Sequence, residues 1–68
     1  MCKGTVKYFN EHRGWGIIGS LESEQDVYVH HTAIKMEGFR TLKEGQMVKY
    51  DVVLTSDGPR AHNVTVAN

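Results

Sequence analysis

The chain has 68 residues, which is enough for one small domain but not for two. Lys and Arg number 8 and Asp and Glu also number 8, so the formal net charge is zero and a strongly basic, histone-like composition is excluded. A chain this short has little room for an enzyme pocket of about 300 Å³ or more. Cys2 is the single cysteine, and the sequence has neither a signal pattern nor 18 consecutive apolar residues. We therefore expect a cytoplasmic protein without an internal disulfide and without a membrane contact.

Glycine and proline divide the chain into short segments rich in Val, Ile, Thr, Tyr and Phe, which are the residue types favoured in β-strands. These segments predict five strands, over residues 3–10, 14–20, 25–31, 46–54 and 60–66. No window has a sustained helical period, so the sequence predicts no long helix. Thr32 is a candidate cap for a single helical turn over residues 33–36.

The connections between these strands predict how the sheet closes. Residues 11–13 are predicted to be the polar loop of a hairpin, residues 21–24 a second turn, and residues 37–45 a longer connection that carries Phe39. Three strands, a long connection and two more strands is the order expected of a five-stranded antiparallel Greek-key barrel. Closure of the barrel would also remove exposed strand edges. The prediction is an all-β domain spanning residues 1–68.

The alternation within the strands separates aromatic from aliphatic side chains. In the third strand Val27 and Val29 face one way. In the second strand Ile18 faces the side opposite to the residues at positions 15 and 17. If the aliphatic face is the core, the side chains displayed outward on these two strands are Trp15, Ile17, Tyr28 and His30. At least one of Tyr8 and Phe9, at the end of the first strand, must also lie outward. In the fourth strand the alternation places Val48, Tyr50, Val52 and Leu54 on one face, and Tyr50 is predicted to be a core residue.

A contiguous apolar patch of this size on a small protein is costly unless it binds something. Gly14 and Gly16 flank Trp15, and glycine within a strand marks either a bend or the close approach of a ligand or another backbone. Lys7 and Arg13 are placed beside the same face by their positions at the strand ends. Exposed rings next to cations suit an unpaired nucleic acid strand, because bases stack on the rings and phosphates meet the charges.

The sequence argues against a metal site and against an enzyme active site. Neighbouring residues on a strand point to opposite faces, so His30 and His31 are not expected to bind one metal ion together. The sequence has no phosphate-binding glycine loop, and Asp26 is interpreted as a polar turn residue and nucleic-acid contact rather than as an acid–base partner of His30. We expect no metal, no cofactor and no enzymatic activity. The remaining alternative is a protein-binding or dimerisation module that uses the same apolar face.

Five segments resemble the bacterial cold-shock protein family. They are 4–10 (GTVKYFN), 13–18 (RGWGII), 26–34 (DVYVHHTAI), 38–46 (GFRTLKEGQ) and 58–61 (GPRA). The similarity covers essentially the whole chain in the order of the family, and the two inner motifs resemble its RNA-binding signatures. This resemblance implies an OB-fold barrel that binds single-stranded RNA and DNA with low sequence specificity, as an RNA chaperone or a regulator of transcription or translation. A monomer or a weak, strand-exchanged homodimer is expected.

The chain differs from the family pattern at several of the expected contact positions. Tyr8 stands where the family typically has Trp, and Trp15 and Tyr28 stand where it has Phe, so a ring is kept at all three. Ile17 stands where the family has Phe and offers no π face. His31 replaces a common Phe and can still stack.

The turn before the fifth strand also differs, because Asp57 occupies a position where the family often has Lys or Arg. An anion is thereby placed near the expected path of the bound strand, and the nearby Arg60 offsets it. The residues that we expect to contact nucleic acid are Lys7, Tyr8, Arg13, Trp15, Ile17, Asp26, Tyr28, His30, His31, Phe39 and Arg60.

Overall fold

The computed structural model describes residues 2–21, 25–35 and 41–67. The strands are β1 Cys2–Asn10, β2 Trp15–Ser20, β3 Asp26–His30, β4 Met47–Thr55 and β5 Gly58–Val66, and a short 3₁₀ turn covers His31–Ala33. All five predicted strands are confirmed, with ends that differ by one or two residues. No helix among the described residues has the length and apolar character needed to span a bilayer.

The five strands form a closed barrel in the spatial order β1-β2-β3-β5-β4. Antiparallel pairs join β1 to β2, β2 to β3, β4 to β5, and β4 back to β1. The barrel closes between β3 and β5 through a short parallel contact, in which Tyr28 lies opposite Arg60. The Greek-key barrel predicted from the order of strands is therefore confirmed.

The interior of the barrel is filled by aliphatic side chains and one tyrosine. The buried residues are Val6, Ile18, Val27, Val29, Ile34, Leu42, Val48, Tyr50, Ala61 and Val64. The inward positions of Ile18, Val27 and Val29 agree with the alternation predicted for β2 and β3. Because these side chains fill the core, the alternate residues of the same strands face solvent.

An irregularity in the β1–β2 ladder changes which side chains of β1 face outward. Val6 pairs with Ile18 and Tyr8 pairs with Ile17, so Lys7 is an extra residue in β1. A bulge of this kind interrupts the alternation of the strand. Lys7 and Tyr8 are both exposed as a result, whereas Phe9 is partly buried and packs against the core.

The second half of β4 differs from the prediction. Val48 and Tyr50 are fully buried, but Val52 is 40% exposed and Leu54 is 77% exposed. The pairing of β4 with β1 ends at Tyr50, so the later residues of β4 pair only with β5. This part of the hairpin extends past the barrel, and its alternate side chains have no core to enter.

The turn after β3 also differs from the prediction. The 3₁₀ turn begins at His31 rather than Ala33, and its cap is His30, whose Nδ1 accepts a hydrogen bond from the backbone N–H of Thr32 at 3.4 Å. The chain has therefore left the strand by His31. The predicted residues 22–24 of the second turn, Met36 and the connection residues 37–40, including Phe39, lie outside the described residues.

Candidate nucleic-acid interface

Three aromatic side chains lie side by side on the outer surface of β1, β2 and β3. The ring centroids of Tyr8 and Trp15 are 5.7 Å apart with the planes at 62°, and those of Trp15 and Tyr28 are 5.9 Å apart with the planes at 18°. Tyr8, the outermost, is 42% exposed, and the other two are half-buried. We call Tyr8, Trp15 and Tyr28 the aromatic row. Rings this close on three adjacent strands form a continuous surface on which bases can stack.

Gly16 allows the first two strands to approach each other beneath this row. A Cβ atom at Gly16 would lie 2.3 Å from the carbonyl oxygen of Tyr8 and 2.6 Å from the Phe9 ring. Glycine at this position is therefore required by the approach of β1, the second of the two explanations that the sequence left open. The tight β1–β2 contact holds Tyr8 next to Trp15.

Arg60 extends the aromatic row onto β5. Its guanidinium carbon lies 4.9 Å from the centroid of the Tyr28 ring, within the range of a cation–π contact. Arg60 Nη2 is also 3.6 Å from Asp57 Oδ2, so the expected offset of the Asp57 charge is a direct ion pair. The aromatic row therefore ends in a cation whose charge is partly offset by the Asp57 carboxylate.

Lys7 is paired with a carboxylate as well. Its Nζ donates a hydrogen bond to Asp26 Oδ1 at 2.8 Å, and both side chains are about half exposed. The stem of Lys7 crosses over Gly19, where a Cβ atom would lie 2.7 Å from the lysine Cε. Lys7 therefore lies beside the outer face as expected, but part of its charge is balanced within the protein.

Arg13 lies in the turn between β1 and β2 and is exposed. This turn is held by Asn10, whose Oδ1 accepts hydrogen bonds from the backbone N–H groups of His12 and Arg13, both at 3.0 Å. Among the described residues, no ion pair involves Arg13. Of Lys7, Arg13 and Arg60, it is the one whose charge is most available to a phosphate, because the other two are ion-paired.

His30 and His31 form a second ring pair beside Trp15, which is opposite His30 in the β2–β3 ladder. The two imidazole centroids are 4.4 Å apart. The expectation that these side chains point to opposite faces is wrong, because the strand ends at His30 and the 3₁₀ turn brings the next ring alongside. His30 Nδ1 is 2.9 Å from Thr32 Oγ1, which fixes its ring orientation.

Gly14 holds the second histidine in place. It has φ +77°, and a Cβ atom there would lie 2.5 Å from the His31 ring. The backbone N–H of His31 donates to the carbonyl oxygen of Gly14 at 2.8 Å. Glycine at this position therefore provides both a left-handed backbone conformation and the space for the imidazole.

The structure brings most of the expected contact residues onto one surface. The aromatic row, Arg60 and the histidine pair are contiguous, the ion pair of Lys7 and Asp26 lies along their edge, and Ile17 is partly buried on the same face of β2. The sequence predicted Thr32 as the cap of the turn, whereas His30 is the cap and the hydroxyl of Thr32 hydrogen-bonds to the His30 ring. Sequence reasoning also missed the ion pair between Lys7 and Asp26.

The sequence of this chain is similar to that of known proteins over nearly its whole length. The family model described as 'Cold-shock' DNA-binding domain matches residues 2–67. This chain belongs to the cold-shock domain family. Members of the family bind nucleic acid, so the surface that carries the aromatic row is on a nucleic-acid-binding protein. The resemblance identified in the sequence is confirmed.

Relatives of this cold-shock domain are similar over almost their entire length. The chain is 52% identical over 64 residues to a cold shock-like protein of Aquifex aeolicus, covering 94% of this chain and 91% of the relative. It is 51% identical over 65 residues to the major cold shock protein of Streptococcus pyogenes serotype M1, covering 96% of each. The solved structure of Drosophila Unr CSD456 has a TM-score of 0.79 at 18% identity, covering 97% of this chain and 26% of that one. This last likeness supports the barrel fold.

Proposed function

We propose that this cold-shock domain binds unpaired RNA and DNA by stacking bases on the aromatic row. The observation that carries the proposal is the line of three rings on adjacent strands, with centroids 5.7 and 5.9 Å apart and a cation at one end. A duplex cannot use this surface, because its bases are already stacked on one another.

The energetics favour stacking over phosphate contact. Each stacked base contributes about 1–3 kcal/mol, so three rings supply a gross stabilisation of about 3–9 kcal/mol before the cost of ordering the strand. The net charge is zero, and among the described residues Lys7 and Arg60 beside the aromatic row are both paired with carboxylates, so little unpaired positive charge lies next to the rings. Stacking is therefore the larger contribution to affinity.

This binding mode explains low sequence specificity and an RNA chaperone or regulatory role. Every base has a π face, so rings discriminate weakly between bases. A strand held by several separate stacking contacts can also be released one base at a time. Such binding keeps a strand unpaired without holding it permanently, which is what a chaperone of RNA folding requires. We propose that the protein does this as a monomer or a weak, strand-exchanged homodimer.

The single tryptophan, Trp15, provides the test. Its fluorescence should be quenched by a short single-stranded oligonucleotide and much less by the same sequence as a duplex. With a fluorescently labelled strand, Trp15→Ala should weaken binding by about 1–3 kcal/mol, whereas Trp15→Phe, which keeps a ring, should retain most of the affinity.

Equal affinity for the duplex and for its separated strands would rule out this function. A fluorescence change that depends on protein concentration but not on nucleic acid would instead support the alternative, a dimerisation surface on the same face. Sedimentation of the protein with and without the strand distinguishes these results.

A further inference from the structure

The end of the aromatic row carries two opposite charges where stacking alone needs none. Arg60 lies 4.9 Å from the Tyr28 ring centroid and pairs with Asp57 at 3.6 Å. At this N···O distance the pair is longer than a close hydrogen bond, and it occupies one nitrogen of the guanidinium and one oxygen of the carboxylate. The Asp57 side chain is 80% exposed and that of Arg60 is 43% exposed. Both retain hydrogen-bonding capacity toward a ligand.

The β4–β5 turn fixes the position of this charged pair relative to Tyr28. The Oγ1 atom of Thr55 donates to the carbonyl oxygen of Gly58 at 2.7 Å and accepts from the backbone N–H of Asp57 at 3.2 Å. Arg60 is held by its register opposite Tyr28 across the β3–β5 contact. The donor, the acceptor and the ring are thus on adjoining strands and a short, hydrogen-bonded turn.

The chemistry of the bases decides which of them this arrangement suits. A base stacked on the part of the Tyr28 ring that Arg60 leaves uncovered would lie beside the guanidinium, with its hydrogen-bonding groups toward the charged pair. Guanine offers two adjacent acceptors, O6 and N7, to an arginine fork, and two adjacent donors, N1–H and the N2 amine, to a carboxylate. Adenine has an amine where guanine has O6, so an arginine donor would face another donor. Pyrimidines offer the carboxylate a single donor group.

We propose that Tyr28, Arg60 and Asp57 form a guanine-selective subsite at one end of an otherwise weakly selective interface. Tyr28 supplies the stacking surface, Arg60 donates to the acceptors of guanine, and Asp57 accepts from its donors. The proposal rests on the single-strand binding proposed above and adds a base preference to it. Because the pair is solvent-exposed, its selectivity lies at the low end for a hydrogen-bonded base contact, about fivefold in affinity.

The test uses short thymidine strands in which one central position carries guanine, adenine, inosine or 7-deazaguanine. Inosine lacks the N2 amine that Asp57 would bind, and 7-deazaguanine lacks the N7 acceptor for Arg60. The guanine strand should bind about fivefold more tightly than the adenine strand, with the two analogues in between. Arg60→Gln and Asp57→Asn should each reduce the guanine-to-adenine ratio toward one. Arg13→Gln, which removes a cation away from the subsite, should weaken all strands and leave the ratio unchanged.

Equal affinity for the guanine and adenine strands would overturn the subsite, as would a guanine preference that survives both Arg60→Gln and Asp57→Asn. Either result leaves the proposed function intact as long as the strands still bind more tightly than a duplex. A loss of that single-strand preference in the parent protein contradicts the proposed function itself, so the two failures are distinguishable.

Discussion

Replacement of Gly14 by alanine should damage both the stability of the barrel and the binding surface. Gly14 has φ +77°, and its carbonyl oxygen accepts the backbone N–H of His31. A side chain in the left-handed region costs about 1–2 kcal/mol. The new Cβ atom would also lie 2.5 Å from the His31 ring, which must move away. Overpacking adds about 1 kcal/mol at the low end for a half-buried ring, so the expected loss of unfolding free energy is about 2–3 kcal/mol.

Gly45 provides the matched control. It has φ +85°, and among the described residues no atom lies within 4 Å of a Cβ built there. Gly45→Ala should therefore cost only the backbone strain of about 1–2 kcal/mol. The difference between the two variants isolates the collision with His31, and Gly14→Ala alone should displace that ring from its position beside His30.

Thermal unfolding and single-strand titration together measure both effects. At about 4–8 °C per kcal/mol for a domain of this size, Gly45→Ala should lower Tm by about 4–16 °C and Gly14→Ala by about 8–24 °C. Single-strand affinity, measured well below Tm, should fall about fivefold or more for Gly14→Ala and remain unchanged for Gly45→Ala. If both variants lose the same stability and neither loses affinity, His31 is not held by Gly14 and is not part of the binding surface.

Three further predictions follow from the ion pairs and the packing. Asp57→Lys removes the partner of Arg60 and adds a cation, so single-strand binding should tighten. The logarithmic salt slope of binding should steepen by about 1.4, which corresponds to two phosphate contacts at about 0.7 each. An unchanged slope would contradict this prediction. Gly19→Ala meets only the flexible stem of Lys7, so urea unfolding should show a loss below about 0.5 kcal/mol; a larger loss would show that the stem cannot move aside. Ile18→Val should lower the free energy of unfolding by about 0.5–1.5 kcal/mol, because Ile18 is fully buried. Leu54→Ala, at a site that is 77% exposed, should lower it by less than about 0.5 kcal/mol. The reverse order would mean that the core is misassigned.

The sequence predicted the parts of the fold that depend on local alternation. The pattern of Val27 and Val29 against Tyr28 and His30 placed the faces of β3 correctly, because this strand pairs with β2 in an unbroken register and has the core beneath it. The same reasoning was wrong for Val52, since whether a strand extends beyond its neighbours depends on tertiary pairing rather than on alternation.

Departures from regular strand geometry account for the features of the site that the sequence did not predict. The irregularity at Lys7 places two successive side chains outward, which a period of two cannot represent. The histidine pair arises because the strand ends one residue earlier than predicted. The ion pair between Lys7 and Asp26 joins residues 19 positions apart, and this contact requires knowledge of the β1–β2–β3 register.

The central claim, that bases rather than phosphates carry the affinity, is tested most directly with an abasic strand. Two oligonucleotides of the same length and charge, one with bases and one with abasic sugars throughout, should be titrated against the fluorescence of Trp15 at a fixed salt concentration. We expect strong quenching and micromolar or tighter binding for the strand with bases, and little of either for the abasic strand. Equal affinity for the two strands would show that phosphate contacts dominate, and would contradict stacking on Tyr8, Trp15 and Tyr28 as the basis of binding.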